Sequence, residues 1–218
     1  MVREMVPALP HLVHAHGRDG GRAWTFYRCQ LHLALGAGLR PELDKRCRPH
    51  LKPTNRSWRL DETYINVKGR DRFLYRAVDS TGQTIDFLLT DRRDAAAAKR
   101  FFRRALQNEG NSMPRVINVD KNPAYPRAFE DLQREGAISR RCRLRQCKYL
   151  NNVVEQDHRN VKRRTWLAKG YGSLWTAWRT LRGIEAMDMV RKGRVRWLAK
   201  GDSAGQAKFI GTLFGIAA

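Results

Sequence analysis

The stretch 58–67, Trp58-Arg59-Leu60-Asp61-Glu62-Thr63-Tyr64-Ile65-Asn66-Val67, is rich in β-branched and aromatic residues and runs into a turn signal, Lys68-Gly69-Arg70. It predicts a strand. Side chains alternate across a strand, so Asp61 and Glu62 should point to opposite faces. Leu60, Glu62 and Tyr64 share one face, and Trp58 interrupts the alternation. Two further strands are expected at 73–79 and 84–90, joined by loops at 68–72 and 80–83 that hold Gly69 and Gly82. Together they make an antiparallel meander. Asp94 should then cap a helix over 95–108, with Ala98, Phe101, Phe102 and Ala105 at helical spacing and Gly110 beyond its end.

A fourth strand is predicted at 115–119. A helix over 125–135 should follow, with Pro126 at its start and Gly136 at its stop. A fifth strand is expected near 146–150, a helix over 152–164, and an amphipathic helix over 174–192 through Trp178, Leu181, Ile184, Glu185 and Met189. The order β-β-β-α-β-α-β-α, with an additional C-terminal helix, predicts an α/β fold built on a ribonuclease-H-like mixed sheet. In that fold the first and fourth strands are neighbours, which would bring Asp61 close to Asp120. The chain divides into an atypical segment at 1–40, a basic linker at 41–57, a core at 58–193 and a tail at 194–218. The first of these is broken by Gly17, Gly20, Gly21, Gly36 and Gly38, with no apolar period to support a helix-turn-helix.

Charge changes the picture. Among 218 residues, 43 Lys and Arg face 21 Asp and Glu, a formal net charge of +22. A surplus that size favours a polyanionic partner, first of all nucleic acid. No run of about 18 apolar residues is present to span a bilayer, and a membrane is not the expected partner. The residues before Gly17 make a poor signal peptide, so a cytoplasmic, nucleoid-associated protein is expected. Cys29, Cys47, Cys142 and Cys147 form no C-x-x-C pair and read as reduced thiols. A metal held by Cys142, Cys147 and His158 is the less favoured alternative.

Against this basic background three acids stand out: Asp61 on the first strand, Asp120 at the end of the fourth, and Glu155 on the helix that follows the fifth. Three converging carboxylates stay ionised together only when cations neutralise them. Mg²⁺ suits oxygen ligands and keeps positions for water and phosphate, and Mn²⁺ can substitute. Two such ions clamp the attacking and leaving oxygens of an in-line phosphoryl displacement. On the Glu155 helix, Arg159 and Lys162 fall on the glutamate's own face at i+4 and i+7 and are positioned to hold phosphates. Arg163 and Lys121 are further candidate DNA contacts. An ordinary ion pair of Arg159 with Glu155 is the less favoured alternative, and His158 is a candidate contact to metal or phosphate.

Several of these segments carry a resemblance. The runs Asp61-Glu62-Thr63-Tyr64, Tyr75-Arg76-Ala77-Val78-Asp79-Ser80 and Asp120-Lys121-Asn122-Pro123-Ala124-Tyr125 resemble the DDE transposases of the insertion-sequence-six family. So do Lys148-Tyr149-Leu150-Asn151-Asn152, Val154-Glu155-Gln156-Asp157-His158-Arg159 and Gly183-Ile184-Glu185-Ala186-Met187. The resemblance runs from Pro41 to the C-terminus. It implies that Asp61, Asp120 and Glu155 are the catalytic triad and that Lys162 is the family's basic residue seven positions after the glutamate. It also implies metal-dependent cleavage and strand transfer on the ends of an insertion element and on target DNA, by a homo-oligomer. A metal-dependent nuclease of the same fold and an inactive DNA-binding remnant are the alternatives.

The chain departs from the family before Pro41. There the family's helix-turn-helix typically ends in a run resembling Tyr-Arg-Trp-Val-Gln-x-Tyr-Ala-Pro-Glu-Leu. Here Ala34-Leu35-Gly36-Ala37-Gly38-Leu39-Arg40 precedes Pro41-Glu42-Leu43. These seven residues can be encoded by GCG CTG GGT GCA GGC TTA CGC. Read one nucleotide later, with a C following, the same bases give Arg-Trp-Val-Gln-Ala-Tyr-Ala. The expectation is that 1–40 is out of frame relative to the ancestral gene, the alternative being a divergent arm.

Overall fold

The computed structural model describes residues 39–108, 110–147, 152–167 and 171–215. The expectations for the frame and the helix-turn-helix before residue 39, and for the Lys148–Asn151 motif, lie outside them. Strand β1, Ser57–Val67, pairs antiparallel with β2, Arg70–Asp79, which pairs antiparallel with β3, Thr84–Thr90. The first hairpin turns on two residues, not the five expected. Lys68 (φ 52°) and Gly69 (φ 72°) both take the left-handed backbone that a tight right-twisting hairpin demands. Arg70, Asp71 and Arg72 therefore belong to β2.

Helix α2, Ala95–Gln107, starts where Asp94 accepts from the Ala97 amide at 2.7 Å. Strand β4, Val116–Val119, leads to α3, Ala124–Arg134, and then β5, Arg143–Gln146. The sheet order is β3-β2-β1-β4-β5, with β1, β4 and β5 parallel. This is the ribonuclease-H-like arrangement. The fifth strand sits earlier than the 146–150 expected, because Arg143-Leu144-Arg145-Gln146 is an exposed edge with one apolar residue and gives no hydrophobic signal.

Helix α4, Asn152–Leu167, and α5, Leu174–Arg191, follow. A capping box at Ser173 and Thr176 opens α5. One face of the sheet packs Trp58, Leu60, Ile117 and Val119 against Phe101, Phe102 and Phe129 of α2 and α3. Trp58 thus continues the Leu60 face and does not interrupt it. The other face packs Ile65, Val67, Leu74 and Phe87 against Val161 of α4 and Leu181 and Ile184 of α5.

Two stretches read as linker and tail, for which no element was predicted, contain helices. The presumed linker opens with α1, Leu39–Cys47, whose Leu43 and Cys47 are fully buried. The presumed tail carries α6, Ser203–Leu213, capped by Asp202. Leu43 and Cys47 join Met189, Val190 and Val195, and Phe209 and Ile210 of α6, in a separate apolar cluster. Two buried apolar positions four apart are too few to show a helix until α5 supplies the surface they cover. Among the described residues no helix is long and apolar enough to cross a membrane.

Candidate active site

The register of β1 and β4 places two of the acids. Arg59 lies beside Asn118 in the parallel pair, so two residues further on Asp61 lies beside Asp120, with both side chains on one face. Asp120 stands just beyond the end of β4. Its Oδ1 accepts from the Asn122 amide at 3.0 Å, and Asn122 Oδ1 accepts from the Ala124 amide at 3.0 Å. These two side-chain turns carry the chain from β4 into α3. Glu155 sits in the first turn of α4, where the helix dipole favours a carboxylate. Asp61, Asp120 and Glu155 line a single cleft of about 420 Å³ with Arg93, Lys121, Asn122 and Pro123.

Negative charge is crowded there. Burial, and then the neighbouring carboxylates of Glu62, Asp120 and Glu155, push the Asp61 carboxyl up to about 7 against a hydrogen bond from the Glu62 amide. Burial also raises Asp120; the Asn122 amide and Arg93 oppose the shift, and Glu62 adds to it. A cluster of carboxylates that binds protons this readily is short of cations. Its donors are all hard oxygens, the set that suits Mg²⁺ or Mn²⁺ and excludes a thiolate-loving metal. Cys142 is buried in the core on the α2–α3 side of the sheet, and Cys142, Cys147 and His158 do not converge.

Glu62 faces away from Asp61, as the alternation predicts, yet it is not remote from the site. Carboxylate oxygens of Asp61, Glu62 and Asp120 all lie within 4.8 Å of one another, a group that does not include Glu155. Glu62 is almost fully buried and accepts from Asn122 Nδ2 at 2.9 Å, from the Tyr125 hydroxyl and from Arg93. Arg93 also lies 3.9 Å from Asp120. Because its lone pairs are taken by donors, Glu62 ties β1 to the turn that presents Asp120. Arg93, Asn122 and Tyr125 were not legible as site residues. Asn122 and Tyr125 lie in a family-like run, but their link to Glu62 spans about sixty residues.

Helix α4 is held by charge as well as by packing. Arg76 of β2 is fully buried and pairs with Glu185 of α5, with Asp157 of α4 3.6 Å away. Asp157 also pairs with Lys192, and Arg164 grips Asp188 with two bonds of 3.1 Å. Asp157 lies two residues from Glu155, so this network sets where α4 presents the glutamate. His158 is buried with Nδ1 3.8 Å from Asp61 Oδ2. Burial, Arg76 and Lys162 push it down to about 3, so it is a neutral neighbour of Asp61. Arg159, Lys162 and Arg163 are exposed on α4 outside the cleft lining, and Arg159 is not paired with Glu155. Lys121 is exposed at the cleft itself.

Residues 55–194 match the family described as the DDE domain, of the IS240 transposase type. The chain is 38% identical over 141 residues to the transposase for insertion sequence-like element IS431mec of Staphylococcus aureus strain N315, covering 65% of this chain and 60% of the relative. The same figures hold for the Staphylococcus aureus transposase of insertion sequence element IS257 in transposon Tn4003. The chain therefore spans about 60% of the length of these relatives. Among solved structures, the catalytic core domain of BIV integrase is 16% identical, with a TM-score of 0.47, over 73% of this chain and 97% of that one. With well over half of its length matched by the family model, the chain belongs to the DDE-domain family of IS240-type transposases.

Proposed function

We propose that this protein is a DNA transposase of an insertion sequence, and that Asp61, Asp120 and Glu155 are its catalytic carboxylates. The observation that carries this reading is the cleft, where three acids from β1, β4 and α4 meet in a chain of net charge +22. Divalent ions, Mg²⁺ or Mn²⁺, would activate the attacking oxygen and stabilise the departing one. Asp61, Asp120 and Glu155 would hold them. Burial and the neighbouring carboxylates leave Asp61 and Asp120 ready for a cation and costly without one.

The remaining residues bind and position. Glu62 and Asn122 hold the Asp120 turn, and Arg93 offsets part of the negative charge. Lys121 at the cleft, and Arg159, Lys162 and Arg163 along α4, supply cations to the phosphates on either side of the scissile bond. Joining two element ends to a target calls for two such centres, so the working form is a homo-oligomer.

The test is cleavage and strand transfer on a duplex carrying the element's ends, with Asp120→Asn as the decisive variant. It should bind DNA like the wild type and lose Mg²⁺- and Mn²⁺-dependent cleavage. Cleavage by Asp120→Asn near the wild-type rate rules this triad out.

A further inference from the structure

A second cavity, of about 670 Å³, opens between α1, β3, the C-terminal part of α2 and α5, and shares no lining residue with the acidic cleft. Its charged lining is Lys45, Arg48, Asp86, Arg104, Arg182 and Arg196. The ion pairs do not balance. Arg104 pairs with Asp86 at 3.1 Å, while Arg48 and Arg182 share one carboxylate, Asp44. Lys45 makes no ion pair among the described residues, and Arg196 Nε donates only to the Leu51 carbonyl, at 3.3 Å. Five cations therefore face two acids.

The layering matters as much as the count. The side chains of Asp44 and Asp86 are 1% and 2% exposed, whereas those of Arg48, Arg182 and Arg104 are 26%, 21% and 32% exposed. The acids lie in the wall and the guanidinium groups face the opening. Lys45 and Arg196 are exposed beside them, and the side-chain amides of Gln107 and Asn108 add neutral donors. Buried Arg194 is pushed down to about 10, by burial first and by the charge of Arg48 second. An ordinary solvated face disperses its cations into water. Here they converge on a concave surface with acids too few and too deep to satisfy them, which is the arrangement that binds an anion of several charges.

We propose that this cavity takes the phosphodiester backbone of a DNA segment lying outside the acidic cleft. This rests on the transposase reading above. Helix α2 links the two sites. Arg93, just before its first turn, lines the cleft, and Arg104 near its end lines the cavity. Arg104 lies nine residues past Ala95, the first residue of α2, ~14 Å along the helix at 1.5 Å per residue. That is less than one ~34 Å turn of duplex, a spacing that a single duplex of ordinary length can span.

The experiment is fluorescence anisotropy of a labelled 30-base-pair duplex over a series of salt concentrations, with EDTA present so that no cleavage occurs. The full chain is compared with Lys45→Ala/Arg196→Ala, which removes the two lining cations that have no carboxylate partner among the described residues and strands no buried acid there. The slope of log affinity against log salt should fall by up to about 1.8, as for two lost phosphate contacts. Gln107→Glu, which adds a carboxylate at the rim and removes no cation, should weaken binding in the same direction. A parallel titration with tripolyphosphate separates a DNA backbone from a free polyphosphate. Tripolyphosphate binding that is lost in the double variant while the DNA slope stays unchanged overturns the proposal in favour of a small-molecule site. An unchanged slope in both variants, without tripolyphosphate binding, overturns it outright. A wild-type chain that binds no duplex at all overturns the transposase reading first, and is thereby distinguished from failure of the cavity alone.

Discussion

Arg76 Nη2 donates to Glu185 Oε2 at 2.9 Å between two buried side chains 109 residues apart in the sequence. This contact joins β2 to α5, and through Asp157 it reaches α4 two residues from Glu155. Arg76→Met leaves Glu185 without its paired cation and Asp157 with Lys192 alone, and orphaning a buried charge costs roughly 3–5 kcal/mol. Urea unfolding should show a loss of that size. Arg76→Met/Glu185→Gln should recover part of it, because one stranded carboxylate is gone. In both variants the Mg²⁺ concentration for half-maximal cleavage should rise, since α4 no longer fixes Glu155. A single variant as stable as the wild type, with the same Mg²⁺ requirement, would show that the network positions nothing.

Glu62 is expected to matter more than its place on the face opposite Asp61 implies. Its carboxylate accepts from Asn122, Tyr125 and Arg93 together. Glu62→Gln exchanges one acceptor oxygen for an NH₂ facing donors, and a buried group left unsatisfied costs about 1–3 kcal/mol. The variant should unfold at lower urea and cleave DNA much more slowly, because the turn carrying Asp120 loosens. Wild-type stability combined with wild-type cleavage would return Glu62 to the role of a bystander.

The contrast with Asp61 shows what was legible in the chain and what was not. Strand β1 and the placement of Asp61 beside Asp120 follow from local alternation and from the order of strands and helices. The site role of Glu62 depends on partners about sixty residues away, which no local pattern registers. Arg143-Leu144-Arg145-Gln146 failed as a strand signal for a different reason. An edge strand with exposed side chains carries no apolar period, and its evidence is the backbone pairing to β4. Helix α1 was hidden because its two buried apolar positions become a face only against α5.

Acid should loosen α4 through Asp188. Burial favours the protonated form, but the bidentate Arg164 guanidinium, with Arg191 and Lys192, prevails and holds this carboxyl below its usual value. In the unfolded chain it titrates at about 3.9. A depressed folded value means that its contribution is present above about pH 4 and lost as pH falls through the folded value. Asp188→Asn should be less stable than wild type at pH 6, and the gap should narrow as both are titrated towards pH 3. A gap that stays constant with pH would mean that Asp188 acts by packing and not by charge.

The acidic cleft should make the metal-free protein less stable than its own Asp61→Asn variant. The Asp61 carboxylate is desolvated beside three others, and replacing it with an amide of the same shape removes repulsion without opening a cavity. In EDTA at pH 8 the variant should gain on the order of 1 kcal/mol, the usual scale when a strained functional site is relieved. Mg²⁺ should then reverse the ranking. An ion at about one hundred times its dissociation constant stabilises the folded state by about 2.7 kcal/mol. For a chain of this size that corresponds to a rise of roughly 5–10 °C in Tm. The rise should appear in the wild type and be small in Asp61→Asn, where a ligand is missing. Thermal unfolding of both proteins in EDTA and in Mg²⁺ gives four values, and the prediction concerns their crossing. If Mg²⁺ shifts both proteins equally, the ion binds elsewhere. If the wild type is the more stable in EDTA, Asp61 is held by contacts that outweigh its repulsion, and the cleft is not short of positive charge.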